Sequence, residues 1–296
     1  MPALPFDPDP SVRPEVEGFF DEGTNTISYI VKDPGSEACA VVDSVMDLDY
    51  AAGRITYDHA DALIARIRER GLRLEWLIET HVHADHLSAA PYIQKRLGGR
   101  IGIGARITVV QEVFGKIFNE GTEFQRDGSQ FDRLFEDGDS YRIGTMTAWA
   151  LHTPGHTPAC MTHVMGDAAF VGDTLFMPDG GSARADFPGG DAGELYDSIQ
   201  RVLSLPDAMR LFMCHDYGPN GRDIRWETTV GEERAHNIHV GQGQTREEFV
   251  ALRTARDRTL AMPKLILPSL QVNMRGGEIP TDPAGQPVLR VPVNRL

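Results

Sequence analysis

The sequence predicts one α/β domain. Three observations carry that expectation. Short apolar runs with strand character alternate with amphipathic helical segments along the whole chain. No linker or break in composition divides it into halves. Hydrophobic residues make up 41% of the 296 residues, enough to fill a substantial core. Glycine and proline number 30 and 19 but are scattered, which marks turns rather than a low-complexity segment.

Residues 1–14 read as an irregular arm. "EVEGFFDEGTNTISYIVKD" follows as two strands about a Gly/Asn turn. "ACAVVDS" is a short buried strand ending at Asp43. A helix is expected from Asp58 to Arg70, with Leu63, Ile64 and Ile67 on one face and Gly71 as its stop. "LEWLIET" is a strand, "AAPYIQKRLGG" a helix, "RIGIG" a strand and "ITVVQEVFGKIF" a helix. Residues 113–140 read as a lid or a surface insertion. From Ser140 the strands are short and antiparallel in character: "SYRIG", "MTAWALH", "ACMTHVMG" and "AAFVGDTLF". "GELYDSIQRVLSL" is a helix, "MRLFMCHD" a strand, and "TTVGEERAHNIHV" and "TREEFVALRTARDR" helices. The extension 241–296 contains "PKLILPSLQVNMRGG", expected as strand or coil packed on the core because Pro268 interrupts it.

Composition narrows the class of function. The net charge is −14, which opposes nucleic-acid backbones, so no nucleic-acid partner is expected. No apolar run of about 18 residues is present, so no membrane span is expected. The N-terminus lacks the basic start and apolar centre of a secretory signal. The three cysteines, Cys39, Cys160 and Cys214, do not make a disulfide framework. A reducing, cytoplasmic setting is the simplest expectation. Cys39 and Cys214 read as core.

The chemistry is concentrated in "ETHVHADHLSA". His81, His83, Asp85 and His86 follow directly on a buried strand. His81 and His83, two apart on extended chain, point the same way and can reach one ion. Asp85 and His86 come after a turn and face a neighbouring position. His156, Asp173 and His215 also lie at strand ends, where a rigid sheet fixes ligand positions. Imidazole and carboxylate ligands suit zinc, iron or manganese. One loop of this kind can serve two metal positions about 3.5–4 Å apart.

"THVHADH", "GHTPAC", "GDTLF" and "CHDY" together resemble the metallo-β-lactamase superfamily, over roughly residues 16–240. The resemblance implies an αββα sandwich: two mixed sheets, helices outside, and a metal site along one edge. Function does not follow from that fold alone. After "GDTLF", Arg184, Asp186 and Phe187 match a segment typical of persulfide dioxygenases, with Ala183 and Ala185 departing from the pattern. "HDYG", the later "GEERAHN" and Cys160 four residues after His156 also resemble that branch, although Ala159 stands where glycine is frequent.

The resemblance implies one Fe(II) per chain held by His81, His156 and Asp173, a facial triad with open positions for substrate sulfur and O2. His83, Asp85, His86 and His215 become supporting groups. The expected reaction turns glutathione persulfide, O2 and water into glutathione and sulfite. Tyr217 and Asp85 are the candidate catalytic groups, Tyr217 as hydrogen-bond donor to a metal-bound ligand. Arg184, Cys160 and Tyr217 are candidate substrate contacts. Arg184 has an alternative as a structural partner of Asp186, Cys160 as a buried apolar residue, and Tyr217 as a half-buried structural tyrosine. Asp43 and Asp186 are assigned supporting structural roles. A homodimer fits the family. The alternative is a glyoxalase II-like thioesterase with two zinc or iron ions, in which Asp85, His86 and His215 are ligands and Asp173 bridges.

Overall fold

Alternation of side chains along the strands sets up the layers. The computed structural model describes residues 4–295. Its elements run β1 (Glu15–Asp21), β2 (Thr26–Lys32), β3 (Ala38–Val42), β4 (Val45–Asp49), β5 (Arg54–Thr56), α1 (Asp58–Glu69), β6 (Arg73–Ile78), β7 (Leu87–Ser88), α2 (Ala90–Leu97), β8 (Arg100–Gly104), α3 (Ile107–Ile117) and β9 (Arg133–Phe135). The second part contains β10 (Ser140–Ile143), β11 (Met146–His152), β12 (Met161–Met165), β13 (Ala168–Phe170), α4 (Ala192–Val202), β14 (Arg210–Phe212), β15 (Glu227–Thr229), α5 (Val230–His236), α6 (Arg246–Asp257) and α7 (Ile266–Asn273).

One sheet has the order β1-β2-β3-β6-β8-β9, the other β10-β11-β12-β13-β14-β15, and β5-β4-β7 make a small ribbon. The first sheet is antiparallel through β3 and parallel from β3 to β9. In the second, only β13 and β14 are parallel, because α4 makes the crossover between them.

On β2 and β3, Ile30 and Val41 face outward and pack with Leu63 and Ile67 of α1, Ile93 of α2 and Phe114 of α3. Tyr29, Ala40 and Val42 face inward and meet Met161, Phe170 and Phe212 between the sheets. Val164, Ala169 and Leu211 face the other way, against Leu195 and Ile199 of α4 and Phe249 of α6. Helices, two sheets and helices therefore stack as the αββα sandwich expected from the sequence.

The helices carry the signals that specify them. α1 has Asp58 and Asp61 in its first turn and Arg66 and Arg68 in its last, complementing its dipole. Asp191 caps α4 by accepting from Glu194 N, and Thr245 with Glu248 forms a capping box on α6. No helix of the described residues is long and apolar enough to cross a membrane.

The C-terminal run departs from expectation: residues 266–273 are the helix α7, not strand or coil. Pro268 falls in its first turn, where the missing N–H breaks no intrahelical bond. Within 113–140, the chain completes α3, buries Phe118, Phe124 and Phe131, and adds β9 to the sheet edge.

Candidate metal centre

Five strand ends converge at one edge of the sandwich. The central strand β6 delivers Glu79 to His86. Beside it, β3 ends in Asp43, in the left-handed region at φ 52°. Asp43 accepts from Thr80 N and Thr80 Oγ1, each at 2.8 Å, and so fixes the start of the histidine loop. His156 follows β11, Asp173 follows β13 and His215 follows β14. Two glycines are required here. At Gly155 (φ 128°) a Cβ would stand 2.2 Å from Leu195 N of α4. At Gly172 (φ 52°) it would stand 2.6 Å from Thr80 Oγ1. Each allows the next residue, His156 or Asp173, to reach the site.

Ligand atoms of His81, His156 and Asp173 lie within 4.8 Å of one another. Asp173 Oδ2 is 3.9 Å from His81 Nε2 and 3.5 Å from His156 Nε2, while its Oδ1 is 3.4 Å from His215 Nε2. His215 Nε2 is also 3.2 Å from Asp85 Oδ2. Despite these separations, His81 Nε2, His83 Nδ1, Asp85 Oδ2, His86 Nε2, Asp173 Oδ1 and His215 Nε2 are all buried and make no hydrogen bond. Buried polar atoms are ordinarily paired. Here they aim at common points rather than at each other, which is the arrangement a cation satisfies, so the residues fit a metal.

The opposite ring nitrogens are held by the protein. His156 Nδ1 faces Arg184 O at 2.8 Å, His81 Nδ1 faces Thr80 Oγ1 at 3.0 Å, and His215 Nδ1 faces Asn25 O at 3.2 Å. This support orients metal-binding imidazoles and leaves Nε2 for the ion. His83 differs, because its Nε2 lies 3.1 Å from Asp43 Oδ1 and 3.3 Å from Glu79 Oε2. Burial alone would lower the His83 pKa, but the two carboxylates carry it well above the usual histidine value. Burial, aided by neighbouring imidazoles, holds His81 well below that value, and burial brings His86 down to about 3. Both are thus neutral, as ligation requires.

Above the site lies a cleft of about 1060 Å³, with Asp85, His156, Asp173 and His215 in its wall. Tyr217 lines it too, 58% exposed, its ring stacked 6.0 Å from that of His215. No residue of 113–140 lines the cleft; the segment packs in the layer of α3 and at the sheet edge, as neither a lid over the site nor a loose insertion.

Arg184 and Cys160, two expected substrate contacts, are each engaged within the protein. Arg184 does line the cleft, but its guanidinium forks onto Asp186 at 2.6 and 2.9 Å and donates to Ala261 O at 2.7 Å. A fork so committed is not free to take a second carboxylate in the same way. Asp186 is thereby its structural partner. Cys160 does not line the cleft. Its thiol lies 3.1 Å from Thr157 Oγ1 in the turn after His156, and burial pushes its pKa up to about 12. The alternatives held open in the sequence, structural pairing and a buried small residue, describe both.

Other groups were missed. Arg256 and Lys264 line the cleft, and no ion pair or hydrogen bond engages their side-chain charges among the described residues. Cys214 lies beside His83, His86 and His215 instead of in an apolar core. Asn273, on α7, donates to His83 O and His86 O and accepts from Ser88 N, each at 2.8 Å. The extension is therefore tied to the metal loop. Asn273→Ala is expected to weaken metal binding by about 10-fold and to cost about 1–3 kcal/mol through two unpaired buried carbonyls. Chelator competition and denaturant melts check the two effects separately.

Comparison with known proteins agrees with this geometry. The profile of the metallo-beta-lactamase superfamily matches residues 22–215. The chain belongs to the metallo-beta-lactamase superfamily. Within that superfamily it is 57% identical to a probable metallo-hydrolase of Burkholderia pseudomallei, over 95% of this chain and 99% of that one. It is 32% identical to the mitochondrial persulfide dioxygenase ETHE1 of Homo sapiens, over 87% of each chain. The crystal structure of ETHE1 from Myxococcus xanthus superposes with a TM-score of 0.72 at 28% identity, covering 89% of this chain and 100% of that one. Superfamily membership makes this a metal-dependent enzyme scaffold, and the convergent histidines and aspartates form a group that could hold its metal.

Proposed function

We propose that the protein is a persulfide dioxygenase that oxidises glutathione persulfide at a single Fe(II). One observation carries this reading: His81, His156 and Asp173 form a two-histidine, one-carboxylate group of their own beneath the cleft. Such a set leaves several coordination positions for substrates and suits non-haem iron. The ETHE1 relatives add support from the same fold.

When bound, iron supplies the one-electron chemistry by which O2 reacts with the outer persulfide sulfur. The balance is GSSH + O2 + H2O → GSH + SO3²⁻ + 2H⁺. Arg184 contributes its backbone carbonyl, which holds His156 in place. His215 stands beside Asp173 Oδ1 and Asp85 Oδ2, with its Nδ1 facing Asn25 O. Tyr217 overhangs the site from the cleft wall, where its hydroxyl can donate to substrate. Arg256 and Lys264 are placed to attract the carboxylates of glutathione. Lys264→Ala is accordingly expected to raise KM for glutathione persulfide about 3–10-fold with kcat little changed. An unchanged KM would return Lys264 to the solvent-exposed surface.

A second reading has its own support. His86 Nε2, His215 Nε2 and Asp85 Oδ2 are also unpaired and can hold a second ion, and the Burkholderia pseudomallei relative bears a hydrolase name. A dinuclear site would activate water for attack on a thioester. The two readings separate when O2 uptake with glutathione persulfide and hydrolysis of a glutathione thioester are measured on one preparation of known metal content. Iron with O2 uptake supports the dioxygenase. Two zinc ions with thioester turnover and no O2 uptake overturn it.

A further inference from the structure

Cys214 stands apart from the other two thiols. Cys39 packs in the apolar layer under α1, and Cys160 is held in its turn by Thr157. Cys214 is only 2% exposed yet belongs to none of the three apolar layers. Its position follows from the strand before it. Phe212 faces the space between the sheets and Met213 the outer layer, so the alternation turns Cys214 back inward just past the end of β14. There its sulfur and one ring nitrogen from each of His83, His86 and His215 all lie within 4.8 Å of one another. His86 Nε2 and His215 Nε2 have no hydrogen-bond partner, and both residues are 0% exposed.

We propose that Cys214, with His86, His215 and His83, forms a cation position of nitrogen and sulfur character beside the His81–His156–Asp173 position, suited to a thiophilic divalent ion such as zinc. A tetrahedral zinc centre spaces its nitrogen and sulfur ligands by about 3.3–3.6 Å, so a set lying within 4.8 Å need close by at most about 1.5 Å. The surroundings favour a cation. Burial, aided by the nearby carboxylates of Asp43, Asp173 and Asp85, holds the Cys214 thiol pKa well above its ordinary value while no cation is present. A bound dication reverses that balance: the thiol proton and the Nδ1 proton of His83 leave to solvent, the sulfur binds as thiolate, and His83 keeps its Nε2–H toward Asp43 and Glu79. This position differs from one made only of Asp85, His86 and His215, because the sulfur selects softer ions than Fe(II). The inference does not rest on which reaction the neighbouring triad runs.

Cobalt(II) gives a direct readout, since a thiolate ligand adds an intense charge-transfer band in the near ultraviolet. The metal-free protein is titrated with cobalt, and a zinc-loaded sample is measured by X-ray absorption. We expect the band in the wild type, its persistence in His81→Ala and Cys160→Ser, and its loss in Cys214→Ser and Cys214→Ala. We expect Cys214→Ser to bind zinc at this position at least about 10-fold more weakly. Zinc-loaded wild type should show a sulfur neighbour at about 2.3 Å. A wild type with no charge-transfer band and no sulfur neighbour overturns the proposal, whatever the variants do. So does a Cys214→Ser protein that folds, keeps the band and binds zinc unchanged.

Discussion

Asp173→Ala leaves a folded protein that no longer retains its metal. Among the described residues Asp173 is the only carboxylate grouped with His81 and His156, with Oδ2 toward them and Oδ1 toward His215. Its loss removes a ligand and the charge that balances the cation. The expected fall in metal affinity is at least about 100-fold, or roughly 3 kcal/mol, with turnover falling in step. Stability of the metal-free form should change little, because Asp173 makes no hydrogen bond through Oδ1. Metal analysis after gel filtration, with a denaturant melt on the same sample, checks both parts. A variant that keeps its full metal content would take Asp173 out of the ligand set.

The second large effect is expected at Asp43. This carboxylate is 2% exposed, accepts two hydrogen bonds from Thr80 and pairs with His83. Asp43→Ala strips the buried imidazole of its nearer carboxylate, leaving only Glu79 Oε2 at 3.3 Å, and removing one partner of a buried pair costs about 3–5 kcal/mol. Alanine at φ 52° adds about 1–2 kcal/mol of backbone strain that aspartate tolerates better. For a domain of ordinary stability, that is a large fraction of the whole. Asp43→Asn keeps the shape and should lose less. Urea melts of the metal-free proteins test this, and a loss below about 1 kcal/mol for Asp43→Ala would contradict it.

The same pair sets a pH dependence in the metal-free protein. The Asp43 pKa is lowered: burial opposes this, but His83 and Thr80 outweigh it. Its contribution is therefore present above the unfolded value of about 3.9 and is lost as pH falls through the lower folded value. The His83 pKa is raised, so its contribution is complete below about 6.5 and fades as pH rises through the higher folded value. The pair stabilises most between those limits.

Much of this site was legible in the sequence because its ligands sit at the ends of strongly apolar strands. "LEWLIET" and "ACAVV" announce β6 and β3, and the polar residues directly after them have nowhere to go but the sheet edge. The small strands were not legible. β7, β9 and β15 are two or three residues long and exist through pairing with β4, β8 and β14, not through local propensity. α7 was misread because proline in an apolar run looks like a breaker unless the helix start is known. Asn273 lies 190 residues from His83, so nothing local signals the clamp. Cys214 looked like core because its neighbours Met213 and Phe212 are core, and only the convergence of strand ends sets it apart. Arg184 and Asp186 were visible as a pair two residues apart, but which partner the guanidinium prefers is decided by Ala261, on the far extension.

The central claim is that O2, rather than water alone, is consumed at the His81–His156–Asp173 position. The most direct test is the stoichiometry of O2 uptake and sulfite release by iron-reconstituted protein given glutathione persulfide. The account predicts one O2 consumed for each sulfite released, with the zinc-loaded protein and Asp173→Ala consuming none. Iron-loaded protein that hydrolyses a glutathione thioester while taking up no O2 with the persulfide would contradict it.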